Sequence, residues 1–309
     1  MGAAALDLRS YREGDEEAIL RVLNDASEVR ASLGRWAWLF PADAGGRAIV
    51  VGERDKVIVA VCAGSPLRFA IDGRELAAVE LRWLVSKDRS DRRQVLDYYF
   101  ATSASTERFA LAMAPFDFDG AAQVPGAVLV REKPGSVTPR RFLYRAEAAR
   151  DWEPRLEALW ERVRGSYPVA VVRNAELAVR RSAGHPSIRH HRFLVFPRFS
   201  PSPVAFAVFA DDGSDCCWLD LIWDHEHRGA LDLLAHISAR LVTQWGRRGE
   251  RLWLAGDDMA SNLLKGLGFQ DPHSTLPVAS IRSLTPRLDA ADIISRAYLT
   301  LADIGGLGS

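Results

Sequence analysis

The stretch VELRWLVSKDRSDRRQVLDYYFA, residues 79–101, carries a strand into a charged turn and out again as a helix. Apolar side chains alternate with Glu80 and Arg82 at strand period, and beyond Ser90 the residues Val95, Tyr98, Tyr99 and Phe100 fall at helical spacing. A strand that turns straight into a helix aims the helix's first N–H groups and its positive dipole end at one place, where an anion is favoured. Such turns usually contain glycine, which lets the backbone approach the anion closely. Residues 87–94 contain none.

Upstream, residues 47–53 and 57–68 are β-branched runs around Arg54-Asp55-Lys56, the pattern of a hairpin. Asp72-Gly73 marks a second tight turn before a long strand over 75–85. Residues 6–11 read as a first strand, and Gly14-Asp15-Glu16-Glu17 as the acidic start of a helix with Ile19, Leu20 and Leu23 inward. A helix over 91–103 and a strand over 109–114 follow, then an irregular stretch, 116–136, punctuated by Pro125, Gly126, Pro134 and Gly135.

Residues 142–147 read as a strand and 151–165 as an amphipathic helix with Trp152, Leu156, Leu159, Trp160 and Val163 along one side. The joint between two halves is expected here, giving units 1–150 and 151–309. The second half repeats the theme about 140 residues later. Residues 192–199 and 204–210 form a hairpin, 216–223 a buried strand, and 224–230 a loop. A helix follows with Leu231, Leu234, Ile237, Leu241 and Val242 inward, then a strand over 251–255 and a helix over 259–267 closed by Gly268-Phe269. The pattern indicates internal duplication.

A chain of 309 residues is long enough for two cores. Forty basic and forty acidic residues cancel, so charge gives no reason to expect nucleic acid or a membrane surface as partner. Only Lys56, Lys87, Lys133 and Lys265 are lysines; with the many alanines, this arginine bias fits GC-rich bacterial coding better than phosphate binding. The vicinal Cys216 and Cys217 point to opposite faces of a strand, so they and Cys62 are expected to be reduced, buried thiols. No apolar run approaches the ~20 residues of a spanning helix. The N-terminus turns acidic where a signal peptide would turn hydrophobic, and a cytoplasmic location is expected.

Four stretches carry a resemblance: LRSYREGDEEAILRVLN (8–24), the run from WAWLFPADAGG to VELRWLV (36–85), VVRNAELAVRRSAGHPSIRHHRFLVF (171–196) and LLKGLGFQ (263–270). Together they resemble the GNAT acyltransferase superfamily, and among its members the tandem-GNAT proteins of bacterial cell-surface and exopolysaccharide gene sets. The resemblance implies an α/β fold of two tandem units, each a mixed, mainly antiparallel sheet flanked by helices. It implies acetyl-CoA or another acyl-CoA as co-substrate, lying where the central strand splays from its neighbour. The pantetheine arm would bond along Leu84 and Val85 like an added strand, and Arg89, Ser90, Arg92 and Arg93 would hold the pyrophosphate. Glu80 on the central strand would take the proton from an attacking amine.

The sequence departs from that pattern in instructive ways. Asp91 and Arg93 stand where the family's loop has glycines, and the Asp91 carboxylate opposes a phosphate. Arg228 and Gly229 form a better anion nest at the second corner, though Asp224 and Glu226 oppose it. Arg82 shares Glu80's strand parity, so an ion pair is the plainer role for both. Asp220 is read as Glu80's counterpart in the second half. His225-x-His227 lacks a third ligand and His190-His191 alternate across a strand, so no metal site is expected. No tyrosine is placed as general acid, Tyr98 and Tyr99 being expected to pack. Trp36, Trp38, Trp83, Trp218, Trp223 and Trp253 suit the core better than a shared groove. Two functions are carried forward: an acyl-CoA-dependent N-acyltransferase acting on a small amine or amino sugar, and a catalytically silent relative that binds a partner protein or metabolite. The glycine-free corner favours the second.

Overall fold

A computed structural model of the chain describes residues 5–26, 31–40, 49–104, 109–113, 121–124, 126–132, 134, 143–272, 279–285 and 288–304. In chain order the first half supplies β1 (Asp7–Ser10), α1 (Glu16–Ala26), α2 (Leu33–Leu39), β2 (Ile49–Arg54), β3 (Val57–Ile71), β4 (Arg74–Ser86), α3 (Arg89–Ser103), β5 (Phe109–Met113), β6 (Ala122–Val124) and β7 (Ala127–Glu132). The second supplies β8 (Tyr144–Ala148), α4 (Arg155–Val163), β9 (Val169–Val171), α5 (Ala175–Ser182), β10 (His190–Pro197), β11 (Ala205–Asp211), β12 (Asp215–Trp223), α6 (Gly229–Trp245), β13 (Gly249–Ala255), α7 (Asp258–Gly266), β14 (Ala279–Ser283), α8 (Ala290–Arg296) and β15 (Ala297–Thr300).

The tight turns foreseen in the first half hold the meander together. Asp55 and Lys56 take φ of 49° and 65° between β2 and β3, and Asp72-Gly73 takes 47° and 78° between β3 and β4. Strands β1 to β4 pair antiparallel in sequence, and β5 lies parallel to β4. Helices α1 and α2 cover one face, packing Ile19, Leu23 and Trp36 on Val51, Val61 and Trp83. Helix α3 covers the other with Val95, Tyr99 and Phe100 on Val79, Leu81 and Ala110. The second half builds the same arrangement from β8, β10, β11 and β12, antiparallel, with β13 parallel to β12. Trp218, Trp223 and Trp253 of this half are all core residues. They share no groove with Trp36 and Trp83, which pack with Phe40 in the first unit.

The two sheets then exchange strands. β7, from the first half, pairs antiparallel along β13, from Ala127 opposite Leu254 to Glu132 opposite Gly249. β14, from the second half, slots between β5 and β6 of the first sheet. Two further strands bridge the sheets: β9 pairs with the far end of β3 at Phe69–Ile71, and β15 pairs with both β9 and β13. Among the described residues, the result is one sheet of 15 strands. Arg131 anchors the exchanged β7: it is buried against Glu250 at 2.5 Å and donates to the carbonyls of Ala235 and Leu267. Gly249 permits the approach, because a Cβ there would lie 2.5 Å from the Arg131 carbonyl oxygen.

Short elements went unread in the sequence: α2, α5, α8 and the strands β6, β7, β9, β14 and β15. Residues 41–48 of the tryptophan-marked stretch and parts of the irregular run 116–136, namely 116–120, Pro125, Lys133, Gly135 and Ser136, lie outside the described residues. Cys62, Cys216 and Cys217 are free and buried. Among the described residues, no helix is long and apolar enough to cross a membrane.

Candidate functional site

In each unit the central strand parts from its parallel neighbour. Among the described residues, β4 pairs with β5 only from Ala78 to Leu81, and β12 with β13 only from Asp215 to Trp218. A β-bulge lies at each parting. Leu81 opposes Gly64 and Trp83 opposes Ala63, leaving Arg82 as the extra residue; Trp218 opposes Phe209 and Asp220 opposes Val208, leaving Leu219. Gly64 makes room for the first bulge, since a Cβ would lie 2.4 Å from the Tyr99 hydroxyl and 2.9 Å from the Glu80 carbonyl. The parting points also correct the expected correspondence. Counted from where parallel pairing ends, Glu80 matches Cys217, and Asp220 matches Trp83.

The wedge of the second unit is closed. β15 occupies it, bonding Thr300 and Leu299 to Leu254 and Ala255 of β13. The wedge-facing backbone of β12 is consumed by side chains. Leu221 N–H donates to the Asp220 carboxylate at 3.0 Å, and its carbonyl accepts from the Tyr298 hydroxyl. Trp223 N–H donates to the Tyr167 hydroxyl at 3.1 Å, and its carbonyl accepts from that same hydroxyl at 2.8 Å. No donor or acceptor of Leu221 or Trp223 is left for a ligand. In the first unit, by contrast, Arg82–Ser86 have β3 on one edge and, among the described residues, no strand on the other. Leu84 and Val85, the residues expected to meet a pantetheine arm, lie there half-buried.

The corners differ from a glycine-rich cradle in specific ways. Asp88 caps α3, its carboxylate accepting from the N–H groups of Ser90 at 2.6 Å and Asp91 at 3.4 Å. Asp91 itself is buried and paired with Arg54 at 2.7 Å, so its charge is turned inward rather than at the corner. Arg89, Ser90, Arg92 and Arg93 are all exposed around the helix start, with Arg93 near Asp97 at 3.8 Å. A cavity of 580 Å³ opens beside this corner, between α1, Val57–Val59 and Ser86–Asp88. At the second corner Gly229 is buried under Tyr144, whose ring a Cβ would meet at 2.7 Å. That glycine is explained by packing. His227 approaches the Tyr144 hydroxyl and His225 the Asp257 carboxylate, so the two histidines face different partners.

Glu80 sits one residue before β4 leaves β5, with 1 % of its surface exposed. Arg82 reaches its Oε2 at 2.9 Å, the ion pair that strand parity allows, and Arg181 of α5 approaches the same oxygen at 3.5 Å. Burial raises the Glu80 pKa, and the two arginines only partly oppose it. Arg181 in turn holds Asp303 at 2.6 Å, in the turn Leu301–Ile304 after β15. Asp303 also pairs with Arg173, which reaches Asp220 at 3.3 Å; Thr300 completes the chain by donating to Asp220 at 2.9 Å. Burial pushes the Asp303 carboxyl up, but Arg173 and Arg181 outweigh it and hold the group below its usual range. Glu80 and Asp220 are thus joined through residues that sequence reasoning missed. The one sequence signal for them was polar character inside otherwise apolar runs, as at Arg173 after Val171-Val172.

No protein-family model matches the sequence, and no curated protein matches it significantly. Solved structures do. A GCN5-related N-acetyltransferase from Anabaena variabilis aligns over 91 % of this chain and 73 % of its own, with 11 % identity and a TM-score of 0.70. A probable N-acyltransferase from Enterococcus faecalis aligns over the same shares with 9 % identity and a TM-score of 0.70. Saccharomyces cerevisiae N-myristoyltransferase with bound myristoyl-CoA aligns over 91 % of this chain and 79 % of its own, with 12 % identity and a TM-score of 0.63. At these identities the likeness establishes the fold. The chain has the mixed α/β GNAT fold expected from its sequence.

Proposed function

We propose that the chain binds an acyl-CoA in the wedge of its first unit and transfers the acyl group to a small amine, an amino sugar being one candidate. The asymmetry of the wedges carries this reading: β15 and two tyrosines close the second, while among the described residues no strand pairs with the β4 edge from Arg82 to Ser86. Leu84 and Val85 would pair with the pantetheine arm, and Arg89, Ser90, Arg92 and Arg93 would hold the pyrophosphate by side chains, because Asp88 already occupies two of the backbone donors. The amine attacks the thioester carbonyl and its proton passes to Glu80, whose carboxylate burial makes more basic; the C–S bond breaks, and CoA leaves as a thiolate that takes up that same proton to become the thiol. In this reading the units divide near residue 150, and the protein works in the bacterial cytoplasm.

The capped corner favours a second reading, a GNAT-fold protein that binds a partner or metabolite without turnover. Calorimetry with CoA and acetyl-CoA separates the two. Acyl transfer expects saturable binding, weakened roughly tenfold by Arg89→Ala/Arg92→Ala and untouched by Arg228→Ala, with Glu80→Gln lowering turnover more than affinity. Absence of binding at millimolar acetyl-CoA would sink it.

A further inference from the structure

Four arginines converge where the two units meet: Arg35 on α2, Arg82 on β4, and Arg180 and Arg181 on α5. Trp36 packs against Trp83 at 5.8 Å, which sets α2 over the outer half of β4. Gly34 and Trp38, one helical turn apart, face the chain after α5: a Cβ on Gly34 would lie 3.9 Å from Pro186, and Trp38 Nε1 donates to the Ala183 carbonyl at 3.0 Å. Arg35, next to Gly34 in the helix, comes close enough to Arg82 and to His185 for its charge to lower the pKa of both. Arg180 reaches the seam from the other side, donating to the Pro66 carbonyl at 2.6 Å.

The described residues do not neutralise this charge. Arg35 is only 9 % exposed, its Nε has no partner, and among the described residues no ion pair holds it. Nε of Arg82 and both Nε and Nη2 of Arg181 are buried without a hydrogen-bond acceptor. The carboxylates at hand are Glu80, shared by Arg82 and Arg181, and Asp303, shared by Arg181 and Arg173; Glu176 is exposed. Burial pulls Arg35 and Arg180 below the ordinary guanidinium range, and pulls Arg82 down to about 10 with Arg181, Arg180 and Arg35 adding to the effect. A buried lysine would escape by losing its proton; arginine keeps its charge and needs an anion. An uncompensated buried charge is among the most costly features a fold can carry.

We infer that this seam binds the anionic group, a carboxylate or a phosphate, of the amine that receives the acyl chain, with Arg35, Arg82 and Arg180 as its donors. The planar guanidinium fork matches two oxygens of either group. Glu80 is ion-paired with Arg82 in this seam, so an acceptor held by its anion presents its amine beside the proton acceptor. The inference rests on the acyl-transfer reading for the role of that amine, and its test keeps the two apart.

Tryptophan fluorescence, which Trp36 and Trp83 bring into the seam, is followed during titration with phosphoethanolamine, glycine and ethanolamine, and separately with acetyl-CoA. Saturation by phosphoethanolamine or glycine but not ethanolamine is expected, and identifies which anion is read. Arg35→Gln should weaken it roughly tenfold or more while leaving acetyl-CoA affinity unchanged. That variant removes an unpaired charge, so its melting temperature should equal or exceed that of the parent. Arg180→Gln, at a half-exposed position, serves as a second variant. The inference is overturned if no anionic amine saturates by ~10 mM, or if both variants bind as the parent does. Acetyl-CoA binding without anion binding sinks the seam alone; anion binding without acetyl-CoA binding keeps the seam and sinks acyl transfer.

Discussion

Single residues explain much of what makes this site unlike a glycine-rich one. Asp88 takes the helix N–H groups that a phosphate would need, and Asp91, which looks repulsive on paper, is buried against Arg54. The Glu80–Arg82 pair was legible because strand parity is a local property. Arg181 and Asp303, the other members of that cluster, were not, since nothing near Glu80 in sequence points to them. His185 gives a prediction at this scale. Its Nδ1 accepts from the N–H groups of Ser187 and Ile188, and its ring packs on Trp38 at 4.4 Å. Burial, with His190 and Arg35 adding, pulls its pKa from 6.5 to about 4. The folded value is below the unfolded one, so this contribution to stability is complete above pH 6.5 and is lost as pH falls toward 4. His190 and His191 shift the same way. The melting temperature is expected to drop across that window. His185→Asn keeps an acceptor but cannot titrate, and should flatten part of the slope; an unchanged slope refutes the assignment.

At the scale of elements, hairpins and amphipathic helices were readable because their signals are periodic and near in sequence. The strand partners were not. β7 is an apolar run that would suit either sheet, and consecutive strands usually pair, yet it crosses to the other one. The central strands were misaligned in a smaller way: Glu80 and Asp220 lie 140 residues apart, whereas Leu81 and Trp218, where parallel pairing ends, lie 137 apart. Arg131 tests the crossing. Its partner Glu250 also accepts from Trp218 Nε1 at 3.1 Å and Ser238 at 2.5 Å, and burial raises the Glu250 pKa against the pull of Arg131. Arg131→Ala should therefore cost about 3–5 kcal/mol by stranding the carboxylate, and Arg131→Met/Glu250→Gln should cost less than Arg131→Ala alone. Urea unfolding of the three proteins measures both. A double variant that is the least stable of the set refutes this account.

For the whole molecule, the fold class was within reach of the sequence because the four-strand meander and its helices occur twice, each with local signatures. The closure of one wedge was out of reach, since it depends on β15, four residues that include Tyr298, meeting β13, and on Tyr167 reaching Trp223 from a distant part of the chain. Exchange of β7 and β14 makes each sheet incomplete without the other half. Urea unfolding should then be a single transition, with near-ultraviolet and far-ultraviolet circular dichroism coinciding. Two separated transitions would mean that the halves are independent.

The exchange also sets an order for synthesis. Domains usually fold from the N-terminal end as they leave the ribosome. Here β5 must wait for β14, which ends at Ser283 of 309 residues. Until then the nascent first sheet shows a bare edge at β5, the kind of template on which chains aggregate. Slowed translation late in the message, or a truncated product, should therefore harm the first unit as much as the second.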